Sequence, residues 1–316
     1  TTGQPYDLEQ EDDVWQAELA IYSRPETHHD LLARRKALFS GRPVIDWGLY
    51  VTYRAQSMVS TLSPPKDVEV ANDYVADFEY WELAQRDAWL LTPDLWLRLD
   101  WRPDPKTRIY AALEGVAVFG NIGNSTGSDP ATAVEVMQWG AALETNVTLG
   151  LVSFGLDLGA ASGDSAEKWE SYLGRDGATP WGADNKLNSF SFNRNYTVDM
   201  LLYREVLGGV SNSLYFRPHF DFDVIPTEEN AFGGMISALY AMALEPDAYP
   251  GDARNLGLEF DAHIFYEQTN RFLATVGFGA LFPFGALDRP TNFIFDLPGK
   301  EAEWAWTMQG NLFLVF

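Results

Sequence analysis

A hydrophobic period of two runs through most of this chain and limits its fold more than any other feature. From Trp304 one parity reads Trp304, Trp306, Met308, Gly310, Leu312, Leu314 and Phe316, and the other Ala305, Thr307, Gln309, Asn311, Phe313 and Val315. Successive side chains on a β-strand point to opposite faces, so this stretch predicts a strand with one almost wholly apolar face. Residues 255–267 repeat the pattern: Leu256, Leu258, Phe260, Ala262, Ile264 and Tyr266 alternate with Gly257, Glu259, Asp261, His263 and Glu267, with Phe265 the exception. In 214–224, Leu214, Phe216, Phe220, Phe222 and Val224 oppose Tyr215, Arg217, His219, Asp221 and Asp223. In 94–102, Leu95, Leu97, Leu99 and Trp101 oppose Asp94, Arg98, Asp100 and Arg102, with Trp96 out of pattern. A strand face this charged meets water, and its other face meets something apolar.

Similar runs near 14–22, 44–58, 107–120, 133–144, 148–160, 196–206, 232–244 and 271–283 bring the total to about a dozen strands. Runs of roughly 9–13 residues match the length that crosses a bilayer at a tilt. Short turns are expected at Pro103-Asp104-Pro105-Lys106, Thr145-Asn146, Gly208-Gly209 and Thr269-Asn270, and long polar loops at 59–85, 121–132, 161–190 and 284–303. Short turns on one rim and long loops on the other are the asymmetry of outer-membrane barrels. Counting rims backwards from Phe316 conflicts with the forward count within 161–232, so that stretch holds one predicted strand too many or too few. Glu26 to Phe39 (ETHHDLLARRKALF) predicts a helix on the short-turn, periplasmic rim.

Composition excludes several classes. The 316 residues carry 45 acidic and 22 basic side chains, a formal charge of −23 that repels nucleic acid. There is no cysteine, hence no thiolate metal site or cysteine nucleophile. No run of 18 apolar residues predicts a transmembrane helix, but barrels hide their hydrophobicity in alternation. The opening TTGQPYDLEQEDD is acidic and polar rather than a signal sequence, which reads as a mature form or a segment of something longer.

The fold expected is therefore all-β, an antiparallel transmembrane β-barrel of about a dozen strands in the bacterial outer membrane, alone or as part of a larger barrel. Its lumen would hold Arg54, Arg98, Asp100, Arg102, Arg108, Glu114, Asp157, Asp199, Arg217, His219, Asp221, Asp223, Glu259, Asp261, His263 and Glu267. These charges either select a permeating solute or form a ladder that fills a narrow barrel by pairing across strands. Trp15, Trp47, Trp89, Trp101, Trp304, Trp306 and Phe316 are placed as interfacial girdles. His28-His29 beside Asp30 reads as an exposed helix tract rather than a metal site, because neighbouring helical side chains diverge by about 100°. His219 and His263 sit on the polar parity with no nucleophile assigned, so no enzyme is expected. Asp164, Glu167, Glu170, Asp176 and Asp184 lack EF-hand spacing and read as solvated loop charge. Arg34, Arg35 and Lys36 read as a solvated helix face, or as a contact to anionic headgroups or a periplasmic partner.

Four segments, RDAWLLTPDLWLRL (86–99), GLDLGAASGDS (155–165), FSFNRNYTVDMLLYREVLGGVSNSLYFRPHFDF (190–222) and NLGLEFDAHIFYE…GALFPFGALDRP (255–290), resemble an uncharacterised delta-proteobacterial outer-membrane β-barrel family. The resemblance covers roughly residues 40–316 and implies that family members are longer, with strands N-terminal to this region. The chain would then be a C-terminal half, completed by an N-terminal barrel half or by other envelope proteins. The aromatic-ended C-terminus resembles the signature by which such barrels are recognised for insertion, interrupted here by Gly310. The LFPFG and ASGD stretches are more loosely similar to porin-type alginate-export barrels. The functions expected are an outer-membrane channel or export pore, or a plugged, non-conducting barrel anchoring an envelope assembly. A soluble β-sandwich or barrel is the third expectation and would need a cover for its apolar faces. Neither cofactor nor metal is expected, and the bilayer is the expected partner.

Overall fold

The computed structural model describes residues 14–62, 81–124, 133–165, 184–226, 230–289 and 298–314. The strands are β1 (Trp15–Ser23), β2 (Val44–Leu62), β3 (Trp81–Asp104), β4 (Thr107–Ile122), β5 (Val134–Leu149), β6 (Val152–Ala161), the two-residue β7 (Lys186–Leu187), β8 (Ser213–Pro226), β9 (Asn230–Ala243), β10 (Asn255–Gln268), β11 (Phe272–Pro283) and β12 (Ala305–Leu314). All belong to one sheet. Eleven of them follow chain order as an antiparallel meander, and β7 lies beside β5 in parallel.

Directly opposed residues of an antiparallel pair share a face, so the register sorts the side chains. One row reads Trp47, Leu97, Leu113, Leu143, Leu158, Phe216, Tyr240, Leu258, Phe282 from β2 to β11. One residue away on the other face, Asp46, Arg98, Ala112, Glu144, Asp157 and Arg217 run from β2 to β8. The apolar face is left bare, with Trp306 59% and Met308 70% exposed. The two exceptions to the alternation, Trp96 and Phe265, lie on the polar face, each ring held over a glycine of the neighbouring strand, Gly48 and Gly233.

The two rims differ as expected. Residues 105–106, 150–151, 227–229 and 269–271 join strands on one rim; 63–80, 123–133, 162–212, 244–254 and 284–304 join them on the other. The one α-helix among the described residues, α1 (His28–Phe39), lies in the first short-rim connection. Its N-terminus is closed by a reciprocal cap: the Asp30 amide donates to Thr27 Oγ1 at 3.2 Å, and the Thr27 amide donates to the Asp30 carboxylate at 3.1 Å.

Several expectations are corrected. Residues 196–206 are not a strand. They belong to a segment, 188–212, that folds onto the polar face, with Val198, Met200, Leu201, Leu202, Tyr203 and Val210 all buried. Its one regular piece is a π-helical turn, Leu202–Leu207, closed by Gly208 at φ +76°. Gly208-Gly209 therefore ends this turn on the long rim rather than joining two strands. Removing the false strand resolves the conflict between the two rim counts. Thr145-Asn146 lies inside β5, and the chain turns at Gly150-Leu151, where Gly150 takes φ +67°. Strands also run longer than expected: β2 is 19 residues and β3 is 24, so the loop placed at 59–85 begins after Leu62 and ends before Trp81.

The sheet does not close: no ladder joins β1 to β12 among the described residues. Eleven alternating strands also leave these edges running in the same direction, so an antiparallel pairing of 14–22 with 304–316 is unavailable to them.

Gly155 is the tightest point of the polar face. A Cβ there would overlap the His219 imidazole and approach the Thr145 carbonyl oxygen at 2.5 Å. Gly155→Ala should cost about 1–3 kcal/mol by overpacking, read as a lower denaturant midpoint for the detergent-folded protein. An unchanged midpoint would mean that the ring is not held there.

Candidate functional site

At the short rim, α1 is tied to the polar face through arginine. Arg34 pairs with Asp46, which also accepts from Arg98 Nε at 3.0 Å and Nη2 at 2.6 Å. Asp100 accepts from Arg108 Nε and Nη2, both at 3.1 Å, and lies 3.6 Å from Arg34. Asp46 and Asp100 are buried, so five charged groups satisfy one another here and hold the helix across the ends of β2 and β3. Arg54 and Arg102 are exposed and form no ion pair among the described residues.

Midway along the strands, Arg217 Nη1 donates to Asp157 at 2.8 Å. His219 sits between two carboxylates, with Nδ1 2.9 Å from Asp221 and Nε2 3.7 Å from Asp157. The Asn146 amide adds a 3.3 Å bond to Asp221. His263 lies over Gly277, while Asp223 and Glu267 are exposed toward the short rim. Every residue of the expected lumen set that lies on a strand falls on the polar face, where His219 stands directly opposite Ser237, whose buried hydroxyl makes no hydrogen bond among the described residues.

Toward the long rim, the polar face is covered by 188–212. Glu259 is fully buried and accepts three backbone amides from this segment: Met200 at 3.0 Å and Leu201 at 2.8 Å on Oε1, and Leu202 at 2.7 Å on Oε2. Asp199 accepts the next two, Tyr203 at 2.8 Å and Arg204 at 3.1 Å. The two carboxylates together fill the N-terminal end of the π-helical turn, where orphan amides and the helix dipole favour negative charge. Tyr203 donates to Ser213 at 3.0 Å and packs edge-on against Tyr215. Burial pushes the Asp199 carboxyl up to about 7, and the charge of Glu259 adds to the rise. Asp199 and Glu259, expected among the lumen charges, are instead anchors of the inserted segment. The only signal for this in the sequence was the conflict between the rim counts.

The aromatic positions lie on the bare face. Trp15, Trp89, Trp304 and Trp306 stand toward the long rim and Trp47 toward the short rim, all exposed. Trp306 stacks on Phe278 at 6.2 Å. Trp101 is half-buried, because its indole N–H donates to the Gly41 carbonyl at 2.8 Å and so closes the turn after α1. Phe316 lies outside the described residues, as do Glu167, Glu170 and Asp176. Asp164 and Asp184 are occupied as acceptors for the backbone amides of Asn188 and Lys186. His29 approaches Asp30 at 3.9 Å in the open.

Two outcomes follow from the anchor. Glu259→Gln should loosen the segment by on the order of 3 kcal/mol, because one amide oxygen replaces a buried carboxylate that serves three donors. Hydrogen exchange at 200–207 should rise while the ladders of β2–β5 stay protected. Asp199 has a raised carboxyl pKa, so its docked form holds the proton more tightly than a free carboxyl does. Its contribution is therefore fully present below about pH 4 and is lost as pH rises through about 7. Protection of 199–207, corrected for intrinsic exchange, should be higher at pH 5 than at pH 8, and Asp199→Asn should remove that difference.

Neither a family model nor a curated protein matches the chain.

Proposed function

We propose that the chain forms wall strands of an outer-membrane β-barrel whose polar face lines a pathway for small or polymeric solutes, narrowed on the long-loop side by residues 188–212. The observation that carries this reading is the two-faced sheet. An unbroken apolar row crosses nine strands on one side, and a row of charges lines the other. Water accounts for the second face, and a hydrocarbon layer accounts for the first. The rim asymmetry and the resemblance to delta-proteobacterial outer-membrane barrels support the same reading. The parallel edges bear on closure. An all-antiparallel barrel needs an odd number of further strands between β1 and β12, from outside the described residues. An N-terminal barrel half or another envelope protein would supply them.

The second reading is a plugged barrel that anchors an envelope assembly. The segment folded onto the polar face favours it, since Asp199 and Glu259 fix that segment with five backbone hydrogen bonds. Neither reading invokes covalent chemistry at this face. They part on conductance.

Single-channel recording in a planar bilayer separates them. A solvated acidic pathway gives steady conductance with cation preference, and Asp221→Lys, Asp223→Lys and Glu267→Lys should weaken that preference. A folded, inserted protein that conducts nothing would overturn the pathway and leave the anchor. The membrane itself has a separate test. Leu113→Arg places a charge in the middle of the apolar row and should cost roughly 2–4 kcal/mol of insertion into vesicles. Unimpaired insertion of that variant would mean that the apolar row does not face lipid, and failure of the unsubstituted protein to insert would argue for the soluble fold instead.

A further inference from the structure

The inserted segment does more than cover the polar face: between itself and β4–β5 it leaves a cavity of about 380 Å³. Three aromatic rings of the segment, Phe190, Phe192 and Tyr196, form one wall, with Glu114, Asn193 and Asn195 also on the lining. The rings meet edge to face, Phe190 with Phe192 at 5.9 Å and Phe192 with Tyr196 at 5.5 Å. Gly140 makes this approach feasible, since a Cβ there would come within 2.5 Å of the Phe190 ring. Tyr196 is fixed in turn by its hydroxyl, which lies 3.1 Å from Glu144 and 2.9 Å from the Tyr215 hydroxyl.

The charge around this cavity is one-sided. Glu114 makes no hydrogen bond or ion pair among the described residues. The register puts two more carboxylates diagonal to it on the same face, Asp94 opposite Val116 and Glu144 opposite Ala112. One oxygen of Asp94 is buried and accepts no hydrogen bond. None of the three carboxylates pairs with a basic side chain among the described residues, whereas Asp46, Asp100 and Asp157 all do.

We infer that the cavity is a binding site for an organic cation with an apolar body, its ammonium or guanidinium group at Glu114 and its hydrocarbon part against Phe190, Phe192 and Tyr196. Aromatic faces and a carboxylate both attract a cation, and they do so most strongly where water is displaced. A bare metal ion does not fit, because the described residues bring no group of three or more His, Asp or Glu side chains close enough together to hold one. A neutral solute would leave the carboxylates uncompensated, and an anion would be repelled. The volume lies toward the small end of known small-molecule sites. This inference rests on the polar face being a water-filled lumen and names the class of solute that lumen retains.

Equilibrium binding tests it independently of conduction. Phenethylammonium, phenethyl alcohol and phenylacetate are titrated calorimetrically into the detergent-folded protein. The ammonium should bind measurably more tightly than the alcohol, and phenylacetate should not bind. Glu114→Gln, at an exposed position, should weaken the ammonium roughly tenfold or more and leave the alcohol unchanged. Phe192→Leu, which keeps an apolar side chain but removes the ring, should weaken the ammonium more than the alcohol. Equal affinity for ammonium and alcohol, or an unaltered ammonium affinity in folded Glu114→Gln, would overturn the site. Ammonium selectivity in a protein that does not conduct would uphold the site and remove the pathway. Conductance without that selectivity would do the reverse.

Discussion

Everything in this molecule depends on one constraint, the parity of the backbone ladder. A slip of one residue between any two strands would turn Asp157 and Arg217 onto the bare face and bring Leu158 and Phe216 among the charges. Six antiparallel ladders guard against this, β1–β2, β4–β5, β5–β6, β6–β8, β10–β11 and β11–β12, which pair without a shift. Irregularities fall toward strand ends: between Gln56 and Met58, Trp101 and Asp104, Asp223 and Ile225, and Asn255 and Gly257. There a bulge redirects the strand without mixing the two faces across the central rows.

Parity makes two environments, and the charged one is not uniform. Near the short rim, arginines and aspartates compensate one another. Arg34, Arg98 and Arg108 share Asp46 and Asp100, an arrangement that fixes a helix. Near the long rim, carboxylates outnumber cations, and the chain uses them differently. Glu259 and Asp199 find their partners in backbone amides, so an inserted segment does the work that arginines do below. A buried carboxylate left unpaired is costly, and five amide donors offset that cost. The same solution is absent around Glu114, where the negative charge stays open to a solute.

Glycine mediates between the wall and what lies on it. Large side chains on the polar face settle over glycines of adjacent strands: Trp96 over Gly48, His219 over Gly155, Tyr215 over Gly159 and Phe190 over Gly140. The polar face is thus shaped by pairs of large and absent side chains, because filling must follow the space between strands.

The division of faces was legible in the sequence because it depends only on a period of two, which each strand states for itself. Asp221, Asp223, Glu259, Asp261 and Glu267 could be assigned to one side by counting, and a helix over 26–39 could be read from its leucines and basic cluster, which the structure has at His28–Phe39. The segment 196–206 misled the count for a physical reason. Val198, Asp199, Met200 and Leu201 alternate well enough to pass for a strand, but residues 198–203 are all buried and have no solvated face to keep polar, while Thr197, Arg204, Glu205 and Val206 on either side are exposed. Strand order along the chain was likewise readable, since short turns force neighbours to pair. What only the tertiary structure decided was the use of each charge: Arg34 binding a helix to Asp46, Glu259 receiving three amides, and Glu114 left without a partner among the described residues. Those assignments join residues 12 to 59 positions apart, and no local pattern encodes which side chain meets which across a folded wall.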